Sequence, residues 1–186
     1  MTRYSGLSDE ELALLVQKGD KEAFGDLVLR YQEKISRYAR RFVVGTDIDD
    51  LVQDVFIKAY VNINSFDASR RFSPWLYRVA HNEFANALRK KRSIPFSFFD
   101  YDVLLPLLSD GTKASDEAEA AEIRQLLDSY LSDLSAKYRE PLLLFYYEDL
   151  SYEDIADILA VPVATVGVRL KRAREILKNK LKNYQN

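Results

Sequence analysis

With 186 residues the chain can form one medium domain or two small helical ones, and 47% hydrophobic with 30% charged residues marks it as globular, not disordered. No apolar run approaches the ~20 residues that cross a bilayer, and the first residues lack the basic-then-apolar pattern of a secretory signal, so a cytoplasmic location is expected. The absence of cysteine excludes disulfides, thiolate chemistry and cysteine-held zinc, and the single histidine, His81, makes no metal site alone, so neither metal nor cofactor is expected.

Helical periodicity dominates, and strand alternation is nearly absent. Ser8 and Glu11 form a capping box before a short helix carrying Leu12, Leu15 and Val16. Asp20 then caps a long helix with the stripe Phe24, Leu27, Val28, Tyr31, Ile35, Tyr38 and Phe42, which Gly45 is expected to end. Asp47 opens a third helix, with Ile48, Leu51, Val52, Val55, Phe56 and Ala59 on one side. After a polar loop from about Asn62 to Phe72, the pair Ser73-Pro74 predicts a helix start, with the helix running from Pro74 to about Arg92.

Residues 94–115 lack a clean period and contain Pro95, Pro106 and Gly111, so they read as a linker, though one rich in Phe and Leu. Asp116 with Glu119 opens the second helical block, striped by Ile123, Leu126, Leu127, Tyr130, Leu131 and Leu134. Ser135 is expected to cap a helix carrying Tyr138, Leu142 and Phe145, and Ser151 with Asp154 a short one carrying Ile155, Ile158 and Leu159. A tight Ala160-Val161-Pro162 turn leads to a last helix from about Val163 to Leu181. The expected fold is all-α, with small helical domains at 1–93 and 116–186.

The net charge of -2 conceals an uneven distribution. Up to Ser93 there are 16 basic and 13 acidic side chains, from Ile94 to Ser135 2 and 9, and from Ala136 onward 9 and 7. Within the outer segments, Arg70, Arg71, Arg78, Arg89, Lys90, Lys91 and Arg92 meet only Glu83, and the seven cations from Arg169 to Lys182 meet only Glu175. Such stripes favour phosphate whatever the whole-chain sum; the bland reading is two solvated helix faces.

Leu150 to Leu177 reads as a helix-turn-helix, whose second helix presents side chains to base edges in the major groove. Steps of about 100° place Val166, Leu170, Ala173, Leu177 and Leu181 on a core face. Opposite lie Ala164, Val168, Lys171 and Arg172, flanked by Thr165 and Arg169. Arg172 suits a guanine, Thr165 a base or phosphate, and Val168 a thymine methyl. On the Pro74 helix, Arg78, Asn82 and Arg89 fall within about 40° of one another, beside Trp75. Arginine, an amide and an indole edge suit a strand backbone and an unstacked base, unless Trp75 and Phe84 are core.

The run Asp49-Asp50-Leu51-Val52-Gln53-Asp54-Val55-Phe56, followed by Phe72-Ser73-Pro74-Trp75-Leu76-Tyr77-Arg78-Val79-Ala80-His81-Asn82, resembles region 2 of the extracytoplasmic-function (ECF) sigma factors of RNA polymerase. Leu150 to Ala156, Val161 to Val166 and Arg169 to Arg174 resemble region 4, with Tyr138-Arg139-Glu140-Pro141 fitting the preceding helix. The resemblance implies a non-enzymatic subunit that directs core RNA polymerase to promoter DNA. It implies a polymerase-binding face at Asp49, Asp50, Gln53 and Asp54. It implies opening and reading of the −10 element by Asn64, Ser65, Phe66, Arg70, Arg71, Trp75, Arg78 and Asn82, with Arg89, Lys90, Lys91 and Arg92 on nearby phosphates. The −35 element would be read by Ala164, Thr165, Val168, Arg169, Lys171 and Arg172.

The linker would thread toward the RNA exit path, and an anti-sigma factor is a further partner the resemblance suggests. Gly167 and Val168 depart from the family's usual basic residue and hydroxyl, which predicts an altered upstream element. The alternatives are a stand-alone helix-turn-helix regulator, separable by core-polymerase binding, and a helical enzyme, for which no catalytic constellation stands out.

Overall fold

Local signals set most helix starts. Ser8 accepts the Glu11 N–H while the Glu11 carboxylate accepts the Ser8 N–H, so the expected capping box opens α1 (Asp9–Gln17). Asp20 accepts the N–H groups of Glu22 and Ala23 at the head of α2 (Lys21–Phe42). Asp47 does the same for Asp49 and Asp50 at α3 (Ile48–Val61). A 3₁₀ turn at Ile63–Ser65 precedes α4 (Phe72–Lys90). Further along the chain come α5 (Ala136–Tyr146), α6 (Tyr152–Leu159) and α7 (Val163–Tyr184).

The computed structural model describes residues 4–43, 47–90, 130–131 and 134–184, with the side chains of Lys90 and 181–184 excepted. Among the described residues the secondary structure is helical, without strands. The chain divides into two compact units whose main boundary falls between Arg92 and Ser93. The linker, most of the Asp116 to Leu134 block, and Gly45 lie outside the described residues.

In the first unit α2 packs against α1 and α3, and α4 against α3. The expected stripes face inward, with Leu12, Leu27, Ile35, Tyr38 and Val55 buried, and Leu76, Tyr77 and Phe84 of α4 are buried as well. Each such side chain contributes about 1.5–3 kcal/mol of transfer free energy. Tyr38 lies against Tyr77 and Phe84, with ring centroids 5.7 and 5.0 Å away.

Two boundaries differ from the sequence reading. α2 stops at Phe42 with Val43 in extended conformation, before Gly45 is reached. α4 begins at Phe72, so Ser73 and Pro74 stand inside its first turn. Proline is tolerated there because first-turn N–H groups have no intrahelical acceptor. The N–H of Phe72 instead finds Oε1 of Glu10, at 2.9 Å, far back in α1.

In the second unit α5 packs against α7. Among its buried apolar side chains are Leu131, Leu134, Leu142, Leu143, Leu144, Leu150, Ile155, Ala156, Val166, Leu170, Ala173 and Leu177. Ser135 occupies the N-cap of α5, but its hydroxyl makes no capping bond. Pro141 sits inside α5 and removes one helical donor, a cost of about 3 kcal/mol that burial of the neighbouring leucines must offset. Burial draws the Arg139 guanidinium below its ordinary value, and the adjacent Glu140 carboxylate opposes that shift.

Candidate nucleic-acid interface

The helix-turn-helix has the expected local construction. Ser151 and Asp154 form a reciprocal capping box at the head of α6. Ala160 ends that helix in the left-handed region at φ 51°. An L-residue without a polar side chain costs roughly 1–2 kcal/mol there, so the turn is held by its surroundings. The carbonyl of Pro162 accepts the N–H groups of Thr165 and Val166, starting α7 at once.

On α7 the core face is Val166, Leu170, Ala173 and Leu177, all buried; the Leu181 side chain lies outside the described atoms. Ala164, Val168, Lys171 and Arg172 are exposed, Val168 at 67%, while Thr165 and Arg169 are half-buried. Arg172 pairs with Glu175 at 3.3 Å, with both side chains largely in solvent. An exposed pair of this kind is worth about 0–1 kcal/mol, so it yields readily to a base or phosphate. A Cβ placed on Gly167 would stand 3.5 Å from the Tyr152 ring, an ordinary contact.

In the first unit the loop between α3 and α4 has an inner and an outer side. Ile63 and Phe66 point into the core, while Asn64, Ser65, Arg70 and Arg71 are exposed. The Ser65 hydroxyl donates to the Asn62 carbonyl at 2.7 Å, and the amide of Gln17 donates to the carbonyls of Ile63 and Phe66, both at 2.8 Å. Asp67 accepts from the hydroxyl and N–H of Ser69, and these bonds, helped by Arg70, hold its carboxyl below the usual range.

Phe66 and Trp75, at 5% and 9% exposure, pack in the core beneath these exposed side chains. They form an aromatic cluster with Phe72: the centroid of Trp75 is 5.4 Å from Phe66 and 5.5 Å from Phe72. Tyr31 meets Phe72 at 5.7 Å. Arg78, Asn82 and Arg89 remain exposed along α4, and Arg89 donates to Oδ1 of Asn86 at 2.7 Å. Lys91 and Arg92, and the side chain of Lys90, lie outside the described atoms.

Asp49, Asp50, Gln53 and Asp54 are all exposed on α3. The sequence reading missed that Ile57 and Val61, 52% and 70% exposed, share their face. Helical projection reveals it: both lie opposite the buried stripe Leu51, Val55, Phe56 and Ala59. It also missed Gln17 and Glu10, for which no local pattern exists.

The pairing of a helix-turn-helix with a second helical unit that exposes a basic helix and polar loop defines a two-part, all-helical DNA-binding protein. Comparisons narrow the class. The family model for Sigma-70 region 2 matches residues 27–94, and that for Sigma-70, region 4 matches residues 124–177. The chain is 36% identical to the ECF RNA polymerase sigma factor SigW of Bacillus subtilis, covering 90% of this chain and 94% of the relative. It is 39% identical to the ECF RNA polymerase sigma-E factor of Escherichia coli K12, covering 94% and 95%. Among solved structures it resembles CnrH in complex with the cytosolic domain of CnrY, with TM-score 0.70, 28% identity and coverage of 94% and 97%. The fold also matches the sigma factor RpoE of Bartonella quintana in complex with the anti-sigma factor NepR, with TM-score 0.65, 24% identity and coverage of 86% and 96%.

The chain belongs to the ECF sigma factors of RNA polymerase. Its role is therefore that of a sigma factor in transcription initiation, not that of a stand-alone regulator. No helix among the described residues is long and apolar enough to cross a membrane.

Proposed function

We propose a division of the promoter between the two units. The domain at 116–186 reads the −35 element through Ala164, Thr165, Val168, Arg169, Lys171 and Arg172. The domain at 1–93 opens the −10 element and holds its separated strand through Asn64, Ser65, Arg70, Arg71, Arg78 and Asn82, with Arg89, Lys90, Lys91 and Arg92 on phosphates. Phe66 and Trp75 support that surface from beneath. Capture of unstacked bases offsets a melting cost of a few kcal/mol. Core polymerase docks on Asp49, Asp50, Gln53 and Asp54, to which the exposed Ile57 and Val61 add apolar area. The segment 94–115 links the domains and, with its acidic and apolar side chains, runs toward the RNA exit path. The protein acts in the cytoplasm, contributes no chemical step of its own, and is held inactive by an anti-sigma factor.

The observation that carries this reading is the α7 face itself, where Ala164, Val168, Lys171 and Arg172 are exposed directly opposite a fully buried apolar stripe. Run-off transcription with bacterial core polymerase on a genomic-fragment library tests it. Start sites sharing two spaced elements are expected only when the protein is added. DNA binding without new start sites would overturn the reading.

A further inference from the structure

The loop that carries Asn64, Ser65, Arg70 and Arg71 is closed locally by the bonds of Ser65 N–H to Asn62, Phe66 N–H to Ile63 and Arg70 N–H to Asp67, and two of its carbonyls are also held by one remote side chain. The Gln17 amide has two hydrogens, and both are used: one goes to the carbonyl of Ile63 and one to that of Phe66, each at 2.8 Å. Those carbonyls bracket Asn64 and Ser65, the exposed pair at the loop's tip. Glu10 stands seven residues before Gln17, two helical turns away and on the same face of α1. It accepts the N–H of Phe72, the first residue of α4. One face of α1 therefore grips the loop at its start and at its end.

α1 is itself anchored. Arg30 donates to Oδ1 of Asp9 at 2.7 Å and to the carbonyl of Leu7 at 2.9 Å, and the Tyr31 hydroxyl donates to Oδ2 of Asp9 at 2.5 Å. Glu10 and Gln17 both precede the segment 27–94 that the region 2 family model matches.

We infer that Gln17 and Glu10 are positioning residues for −10 recognition, a two-point clamp on α1 that sets the conformation in which the 62–71 loop meets DNA. This rests on the proposal that the loop contacts the −10 element. The clamp touches no base. Its loss lets Asn64 and Ser65 sample other orientations, which blurs discrimination more than it lowers stability.

The test uses the full chain bound to core polymerase and a promoter library randomised over the −10 element. Wild type is compared with Gln17→Met, which keeps the side chain's length and removes both donors. Ser8→Ala, which weakens the far end of α1 without touching the loop, is the stability control. Gln17→Met is expected to lower discrimination between best and worst base by roughly fivefold at one or two −10 positions, the lower end of what one base contact supplies. Its −35 preference and core affinity should stay within about twofold of wild type, as for distant sites. If Gln17→Met melts below the assay temperature, Gln17→Asn takes its place, with a smaller blurring at the same positions expected. An unchanged −10 profile in the folded variant, or equal blurring by Ser8→Ala, would overturn the clamp while leaving the loop's role intact. A wild-type profile without any −10 preference would overturn the loop's role and the clamp with it.

Discussion

On α7 the candidate DNA-facing side chains follow from helix geometry alone: with Val166, Leu170, Ala173 and Leu177 buried, Ala164, Val168, Lys171 and Arg172 have nowhere to go but outward. Between α3 and α4 the corresponding groups sit on a short irregular segment that is held in part by Gln17 and Glu10, 46 and 62 residues away in sequence from the Ile63 and Phe72 groups they bond. The first surface is a local construction and the second a tertiary one. A regular helix suits a rigid duplex groove, whereas an irregular loop can shape a pocket around a base that has left the stack. Mutations should expose the difference. Damage to the α7 surface should need a change on the helix or beneath it, while damage to the loop should follow from a change well outside it.

The largest effect is expected beneath α7. Leu170 is buried, and Leu170→Ala should destabilise the helix-turn-helix unit by about 2–5 kcal/mol in denaturant unfolding; a loss under 1 kcal/mol would mean that this face is not the core. Next comes the remote support of the loop. Glu10→Ala leaves the Phe72 N–H without its acceptor and should cost about 1–2 kcal/mol, the range for a lost cap, with faster amide exchange at Phe72 as the specific sign.

Smaller and of opposite sign is Ala160→Gly. Relief of the left-handed alanine should raise stability by about 1 kcal/mol, read as a higher unfolding midpoint. Smallest is a pH effect at Tyr31. Burial, then the bond and charge of Asp9, push its hydroxyl above the ordinary 10.0. The folded state thus keeps a proton the unfolded state releases, so this group's stabilisation is complete below pH 10.0 and declines as pH rises beyond it. Tyr31→Phe should flatten that alkaline decline in stability against pH.

The same contrast explains what the sequence made legible. The capping boxes Ser8/Glu11 and Ser151/Asp154 are complete within four residues, and both form as expected. The buried and exposed faces of α7 followed from period alone. Ser73-Pro74, a local signal, points to a start for α4 two residues later than the observed Phe72, whose N–H acceptor comes from α1. The resemblance puts Trp75 and Phe66 with the DNA-facing residues, and helical position alone leaves Trp75 between that surface and the core. The aromatic packing that buries them depends on Phe72 and Tyr31, which only the fold brings together. Ser135 shows the converse: a cap residue at the right position whose hydroxyl makes no capping bond.

The central claim is that each unit reads its own promoter element. The direct measurement is start-site mapping on a library randomised over both elements, with wild type, Val168→Ser, Arg172→Ala and Asn82→Ala each bound to core polymerase. The two α7 variants should change the preferred −35 sequence, with Arg172→Ala costing about 1–3 kcal/mol of discrimination at one position, and leave the −10 preference as it is. Asn82→Ala should do the reverse. An α7 variant that shifts the −10 preference, or an Asn82→Ala profile that changes only at −35, would contradict the assignment of one element to each unit.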